Sequence, residues 1–125
     1  MKILIVDDEK GIERLFQQRF RKEIRNGKVE LFFALSGDEA LDFLDEGGAQ
    51  HLTLILSDIN MPRISGLELL SKIKSRYPFL KVIMITAYDD EKNRNKAMLL
   101  GASDYITKPI DFDDLKSRIF TIRNV

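Results

Sequence analysis

The sequence predicts an α/β protein: a parallel sheet of five strands, doubly wound, with helices packed on both faces. Three observations lead there. Five short apolar runs alternate with five stretches of helical periodicity along the 125 residues. No hairpin signal joins any two of the runs, so each strand must return through a crossover, which should be right-handed. Two of the runs also end in acid, Asp7-Asp8-Glu9 and Asp58, and strands that close on carboxylates aim them at one edge of the sheet.

Taken in order, Lys2-Ile3-Leu4-Ile5-Val6 reads as the first strand. Ile12, Leu15, Phe16, Phe20 and Ile24 then recur at helical spacing, and Asn26-Gly27 is a stop signal. Val29 to Ala34 is the second strand. Ser36 and Glu39 form a capping-box pattern that opens a helix ending before Gly47-Gly48. The third strand, Thr53 to Ser57, delivers Asp58. Ser65 and Glu68 repeat the capping box, with Leu67, Leu70 and Ile73 marking a buried face up to Tyr77-Pro78. Lys81 to Thr86 is the fourth strand, and a helix follows from about Asp90 to Leu100 with Gly101 as its cap. Asp104-Tyr105-Ile106 is a short fifth strand. Phe112, Leu115, Ile119 and Ile122 give the last helix one apolar stripe.

A chain of this length fits one compact domain. Lys plus Arg and Asp plus Glu number 20 each, so the formal net charge is zero, and bulk charge gives no reason to expect nucleic acid or an anionic membrane as partner. There is no cysteine, which excludes disulfides, thiol catalysis and cysteine-bound zinc. No apolar run approaches the ~20 residues of a membrane span, and Met1-Lys2 leads straight into a strand, so the expected location is the cytoplasm.

Ligands of doubly wound sheets sit beyond the carboxyl ends of the strands. Asp7, Asp8, Asp58, Thr86 and Lys108 all fall at or just after such ends. Singly, an Asp-Asp pair is an ordinary solvated strand end and a Lys-Pro an ordinary turn; their joint placement is what points to one site. Clustered carboxylates repel unless a cation, a lysine or a proton offsets them. Three carboxylates with the nearby Asn60 carbonyl are hard oxygen donors that suit Mg²⁺. Asp58 is then a candidate nucleophile towards phosphorus, giving an acyl phosphate. Such a transfer needs charge neutralisation around the phosphoryl oxygens, which Lys108 and the Thr86 hydroxyl offer.

Ile5-Val6-Asp7-Asp8-Glu9, Asp58-Ile59-Asn60-Met61-Pro62 with Gly66-Leu67-Glu68-Leu69-Leu70, Ile85-Thr86-Ala87, and Gly101 to Pro109 together resemble the receiver (CheY-like) domain of two-component response regulators. The resemblance covers essentially the whole chain, in the right order. It implies a flavodoxin-like (βα)5 sandwich with strand order 2-1-3-4-5, and one receiver domain over residues 1–125 with no output domain in this chain. It implies that Asp58 accepts a phosphoryl group from a sensor histidine kinase or histidine phosphotransfer protein. Asp7, Asp8, Asp58 and the Asn60 carbonyl would hold Mg²⁺, Thr86 and Lys108 would bind phosphoryl oxygens, and Lys108-Pro109 would be a cis peptide. Tyr105 would turn inward as Thr86 moves towards the phosphate, and the face made by the helix after the fourth strand, the fifth strand and the last helix would bind partners or dimerise on phosphorylation. The implied role is a phosphorelay acceptor that catalyses only its own phosphorylation and dephosphorylation, not an enzyme acting on other substrates. Variation lies around the key positions, at Asn60, Tyr88 and Ile110, and a bulky Tyr88 would screen the phosphoryl group from water.

Three other readings are weaker. A phosphatase of the haloacid dehalogenase type needs D-x-D after the first strand and room for a cap, whereas Asp7 and Asp8 are adjacent. A flavodoxin-like cofactor binder needs a loop of amides to cradle phosphate, where this chain places Asp7-Asp8-Glu9. A pseudo-receiver acting only as a protein-interaction module would have no need of Asp58, Thr86 and Lys108 together.

Overall fold

A computed structural model of the protein describes residues 1–87 and 90–123. Five parallel strands form one sheet: β1 (Lys2–Val6), β2 (Glu30–Ala34), β3 (Leu54–Asp58), β4 (Lys81–Thr86) and β5 (Asp104–Thr107), in the spatial order β2-β1-β3-β4-β5. The register runs Ile5 beside Phe33 and Leu56, Ile55 beside Val82, and Met84 beside Tyr105. The α-helices are α1 (Ile12–Arg19), α2 (Arg21–Arg25), α3 (Gly37–Asp45), α4 (Gly66–Arg76), α5 (Glu91–Leu99) and α6 (Phe112–Arg123), with a 3₁₀ turn at Gly48–Gln50.

Alternation along each strand divides the core. Leu4, Val6, Ile55, Val82, Met84 and Tyr105 face α3, α4 and α5. Their neighbours Ile3, Ile5, Leu54, Leu56, Ile83 and Ile106 face α1 and α6. Central strand β3 is buried along its whole length, so Leu54-Ile55-Leu56 is apolar without alternation before the buried polar pair Ser57 and Asp58.

Both capping boxes form their first half. Ser36 Oγ accepts from the Glu39 amide at 3.1 Å, and Ser65 Oγ accepts from the Glu68 amide at 3.2 Å. Ser36→Ala is expected to lower stability by about 1 kcal/mol, read as a shift in the denaturant midpoint with an unchanged slope. At α5, Asp90 caps through the Lys92 amide at 3.0 Å. Gly101, with φ of 102°, turns the chain off the end of α5 in a conformation that a side chain would strain.

The first helix departs from its expected single span. It breaks at Phe20, whose φ and ψ of −100° and 16° leave the helical region. The Phe20 ring is fully buried, stacked 5.9 Å from Phe16 and edge-on to Phe112 at 6.2 Å. Beyond that anchor α2 buries no side chain, and Ile24, which helical spacing assigned to the buried stripe, is 39% exposed. Strand order reverses between β1 and β3, so the crevice expected to take a ligand opens beyond Val6 and Asp58.

Candidate functional site

The crevice is lined by strand ends. Asp7, the residue after β1, is 5% exposed; its Oδ1 accepts from the Glu9 amide at 2.9 Å and its Oδ2 from Lys108 Nζ at 3.1 Å. Asp58, the last residue of β3, is 9% exposed, while Asp8 is open to solvent. Carboxylate oxygens of Asp7, Asp8 and Asp58 lie within 4.8 Å of one another. Asn60 is exposed two residues further on. The segment after Asp58 is tied back by Ile59 N–H to the Ile85 carbonyl at 3.2 Å and by Gly66 N–H to the Ile59 carbonyl at 2.7 Å.

Thr86 ends β4 fully buried, and its carbonyl accepts from the Lys108 amide at 2.7 Å. That bond places Lys108 just beyond β5, and the Lys108–Pro109 peptide that follows is cis. Lys108 Nζ reaches across the crevice: besides Asp7 it lies 3.5 Å from Glu9 Oε2 and 3.8 Å from Asp58 Oδ2. Asp7, Asp8, Asp58, Thr86 and Lys108 are therefore drawn to one edge of the sheet. Tyr105 stands apart, 4% exposed in the core beneath α5, with the Arg94 guanidinium 4.9 Å from its ring centre. Tyr88 lies outside the described residues.

The electrostatics follow from this crowding. Burial, reinforced by the Asp7 and Asp8 charges and opposed by Lys108, pushes the Asp58 carboxyl from 3.8 to about 6. For Lys108, burial acts downward, but the carboxylates of Asp7 and Asp58 outweigh it and raise its pKa. Three carboxylates served by one ammonium leave surplus negative charge, and the set consists of hard oxygens, a fit to Mg²⁺. Lys108→Met removes that ammonium and is expected to move the Asp58 carboxyl still higher, measurable by NMR titration of metal-free protein; an unmoved carboxyl would mean that the ammonium does not act on it.

Two residues of the sequence motifs had no assigned role. Glu9 extends the acidic run and shares Lys108, a role visible only once β5 is brought beside β1. Gly66 packs its α-carbon against the backbone of Asp58 and Ile59, leaving no room for a side chain. It opens the motif Gly66-Leu67-Glu68-Leu69-Leu70, but the motif does not show that its α-carbon meets the Asp58 and Ile59 backbone.

Among the described residues no helix is long and apolar enough to cross a membrane. The family model for the response regulator receiver domain matches residues 3–120. The chain is 35% identical over 117 residues to the uncharacterized transcriptional regulatory protein YkoG of Bacillus subtilis (strain 168), covering 94% of this chain and 48% of that protein, so it spans about half of that relative's length. A receiver domain protein from Clostridium thermocellum superposes with a TM-score of 0.87 at 31% identity, over 98% of this chain and 94% of that one. Response regulator TrrA from Thermotoga maritima, solved in complex with Mg(2+)-BeF, superposes with a TM-score of 0.79 at 32% identity, over 97% of each chain. With the acidic crevice, the β2-β1-β3-β4-β5 sheet and the near-complete match all in agreement, the chain belongs to the response regulator receiver domain family.

Proposed function

We propose that residues 1–125 act as one receiver domain in which Asp58 is the phosphoryl acceptor. The observation that carries this is the closure of Asp7, Asp8 and Asp58 to within 4.8 Å, with Lys108 Nζ held between Asp7 and Asp58. With a carboxyl near 6, Asp58 is largely ionised at neutral pH and available as a nucleophile. One of its oxygens attacks phosphorus as the bond from phosphorus to the donor breaks, and the electron pair leaves with the donor. The donor is a sensor histidine kinase, a histidine phosphotransfer protein or, in the test tube, acetyl phosphate.

Asp7, Asp8, Asp58 and the Asn60 carbonyl would hold Mg²⁺, which when bound supplies positive charge beside the phosphoryl oxygens. Mg²⁺ and beryllofluoride bind the related TrrA protein, which supports the assignment. Lys108 already faces Asp58 and needs only to shift from Asp7 to pair with a phosphoryl oxygen, and the Thr86 hydroxyl donates to another. Both groups sit on rigid strand ends, so little order is lost on transfer. Tyr105 is the element expected to report the change to the surface formed by α5, β5 and α6. There Arg118 bridges Asp104 at 2.9 Å and Asp114 at 3.0 Å, a charged face suited to a partner or to a phosphorylation-dependent dimer.

Intact mass after incubation with acetyl phosphate tests this. Wild type should gain one phosphoryl group only when Mg²⁺ is present, and Asp58→Asn should gain none. A protein that gains nothing and also fails to bind beryllofluoride with Mg²⁺ would be a pseudo-receiver, working by protein contact alone.

A further inference from the structure

The zero net charge of the chain conceals a segregation that the fold makes spatial. Residues 10–28 carry seven basic side chains and two acidic ones, whereas residues 37–50 carry five acidic and no basic. The first block is α1 and α2; the second is α3 and its turn. The buried side of α1 packs in one half of the core and that of α3 in the other, so the two blocks cover opposite faces of the sheet beside edge strand β2.

The basic face has a shaped surface. Arg14, Gln17, Gln18 and Arg21 line a shallow depression of about 400 Å³. These residues stand at i, i+3, i+4 and i+7 along α1 and the first residue of α2, with both arginines exposed. Among the described residues no carboxylate lies within ion-pair distance of Arg14 or Arg21. A guanidinium pair, donor-only and always charged, flanked by amides that can also donate, is matched to a row of carboxylates one or two helical turns apart. The chain carries such a row itself: Asp38, Asp42 and Glu46 project from α3 and its cap at i, i+4 and i+8, all exposed. Neither Asp42 nor Glu46 has a cationic partner among the described residues.

We infer that the α1–α2 depression is a docking surface for a second copy of this chain, which enters with the acidic face of α3. The contact joins two different faces, so it is heterologous and adds copies head to tail. A two-fold pairing of β2 edges is disfavoured by the same charges, because it sets like helix against like helix across the seam. The acidic crevice lies at the strand ends and is not part of the contact, so the inference goes beyond the phosphoryl-acceptor reading and is tested separately from it.

Sedimentation at high micromolar protein in metal-free buffer is the test, repeated with Asp58→Asn to separate it from phosphorylation. In about 0.01 M salt, where screening sets in only beyond about 30 Å, the average mass should rise to about double that of the monomer, and about 1 M salt should abolish the rise. Asp42→Lys/Glu46→Lys and Arg14→Glu/Arg21→Glu alter only exposed side chains, and circular dichroism verifies that both fold. Each variant alone should be monomeric, and an equimolar mixture should associate, because each keeps the face the other lacks. Monomeric wild type at low salt overturns the inference. So does persistence of association in either variant. A mixture that stays monomeric, with a fluorescent DNA duplex bound by wild type and lost in Arg14→Glu/Arg21→Glu, would overturn it in favour of a polyanion as occupant.

Discussion

Gly66→Ala is expected to destabilise the protein by about 3 kcal/mol or more, the range of severe overpacking. A β-carbon there would overlap the Asp58 carbonyl oxygen and sit 2.6 Å from Ile59 Cα. Both obstacles are backbone, so no rotamer change relieves the clash; α4 must withdraw from the end of β3. That withdrawal would also break the 2.7 Å bond from Gly66 N–H to the Ile59 carbonyl, which fixes the segment following Asp58. At about 2–4 °C per kcal/mol for a domain near this size, the melting temperature should fall by at least 6 °C or so. The expected companion effect is slower phosphoryl incorporation, because Asp58 and Asn60 would lose their common support. A variant melting within a degree of wild type would show that α4 is not held against the strand as described.

The second large effect is a dependence of stability on pH, centred on Asp58. Its carboxyl is raised from 3.8 in the unfolded chain to about 6 in the folded, metal-free protein, first by burial and then by Asp7 and Asp8 against the pull of Lys108. Below the unfolded value the group is protonated in both states and costs nothing. As pH rises between the two values the unfolded chain releases its proton first, so stability falls; above about 6 the penalty is complete. At about 1.4 kcal/mol per unit it amounts to about 2–3 kcal/mol, the lower figure applying because the pocket mouth admits water. Asp58→Asn should therefore be the more stable protein at neutral pH without metal, with a flatter profile across that window. Millimolar Mg²⁺ should raise the midpoint of wild type by mass action and do so far less for the variant. Asp8→Ala should likewise relieve the metal-free protein and blunt its response to Mg²⁺. Denaturant melts across this range decide it, and a wild-type stability that climbs over the window would reverse the assignment.

Local signals carried most of the fold. The two serine caps, the glycine at the end of α5 and the apolar runs of the strands depend on residues a few positions apart, and the structure places each close to where the pattern predicted. Ile24 is the exception: its spacing is helical, but whether a helical side chain is buried depends on what packs over it, and α2 buries none of its residues. The break at Phe20 has the same origin, since a ring anchored between Phe16 and Phe112 answers to a helix more than 90 residues away.

The site divides along the same line. That acid stands at the ends of two strands is a property of the sequence, because an apolar run followed by aspartate carries its own direction. That Lys108 meets Asp7 across 101 positions, that Glu9 shares it, and that Asp58 is held near 6 are decided only by tertiary structure. Strand order sets those distances, and order is a matter of long-range pairing that periodicity does not encode. The charge blocks show the division most plainly. Their composition is written in residues 10–28 and 37–50, but only the sheet between them sets a basic patch on α1 and α2 and an acidic patch on α3 on opposite sides of a neutral chain.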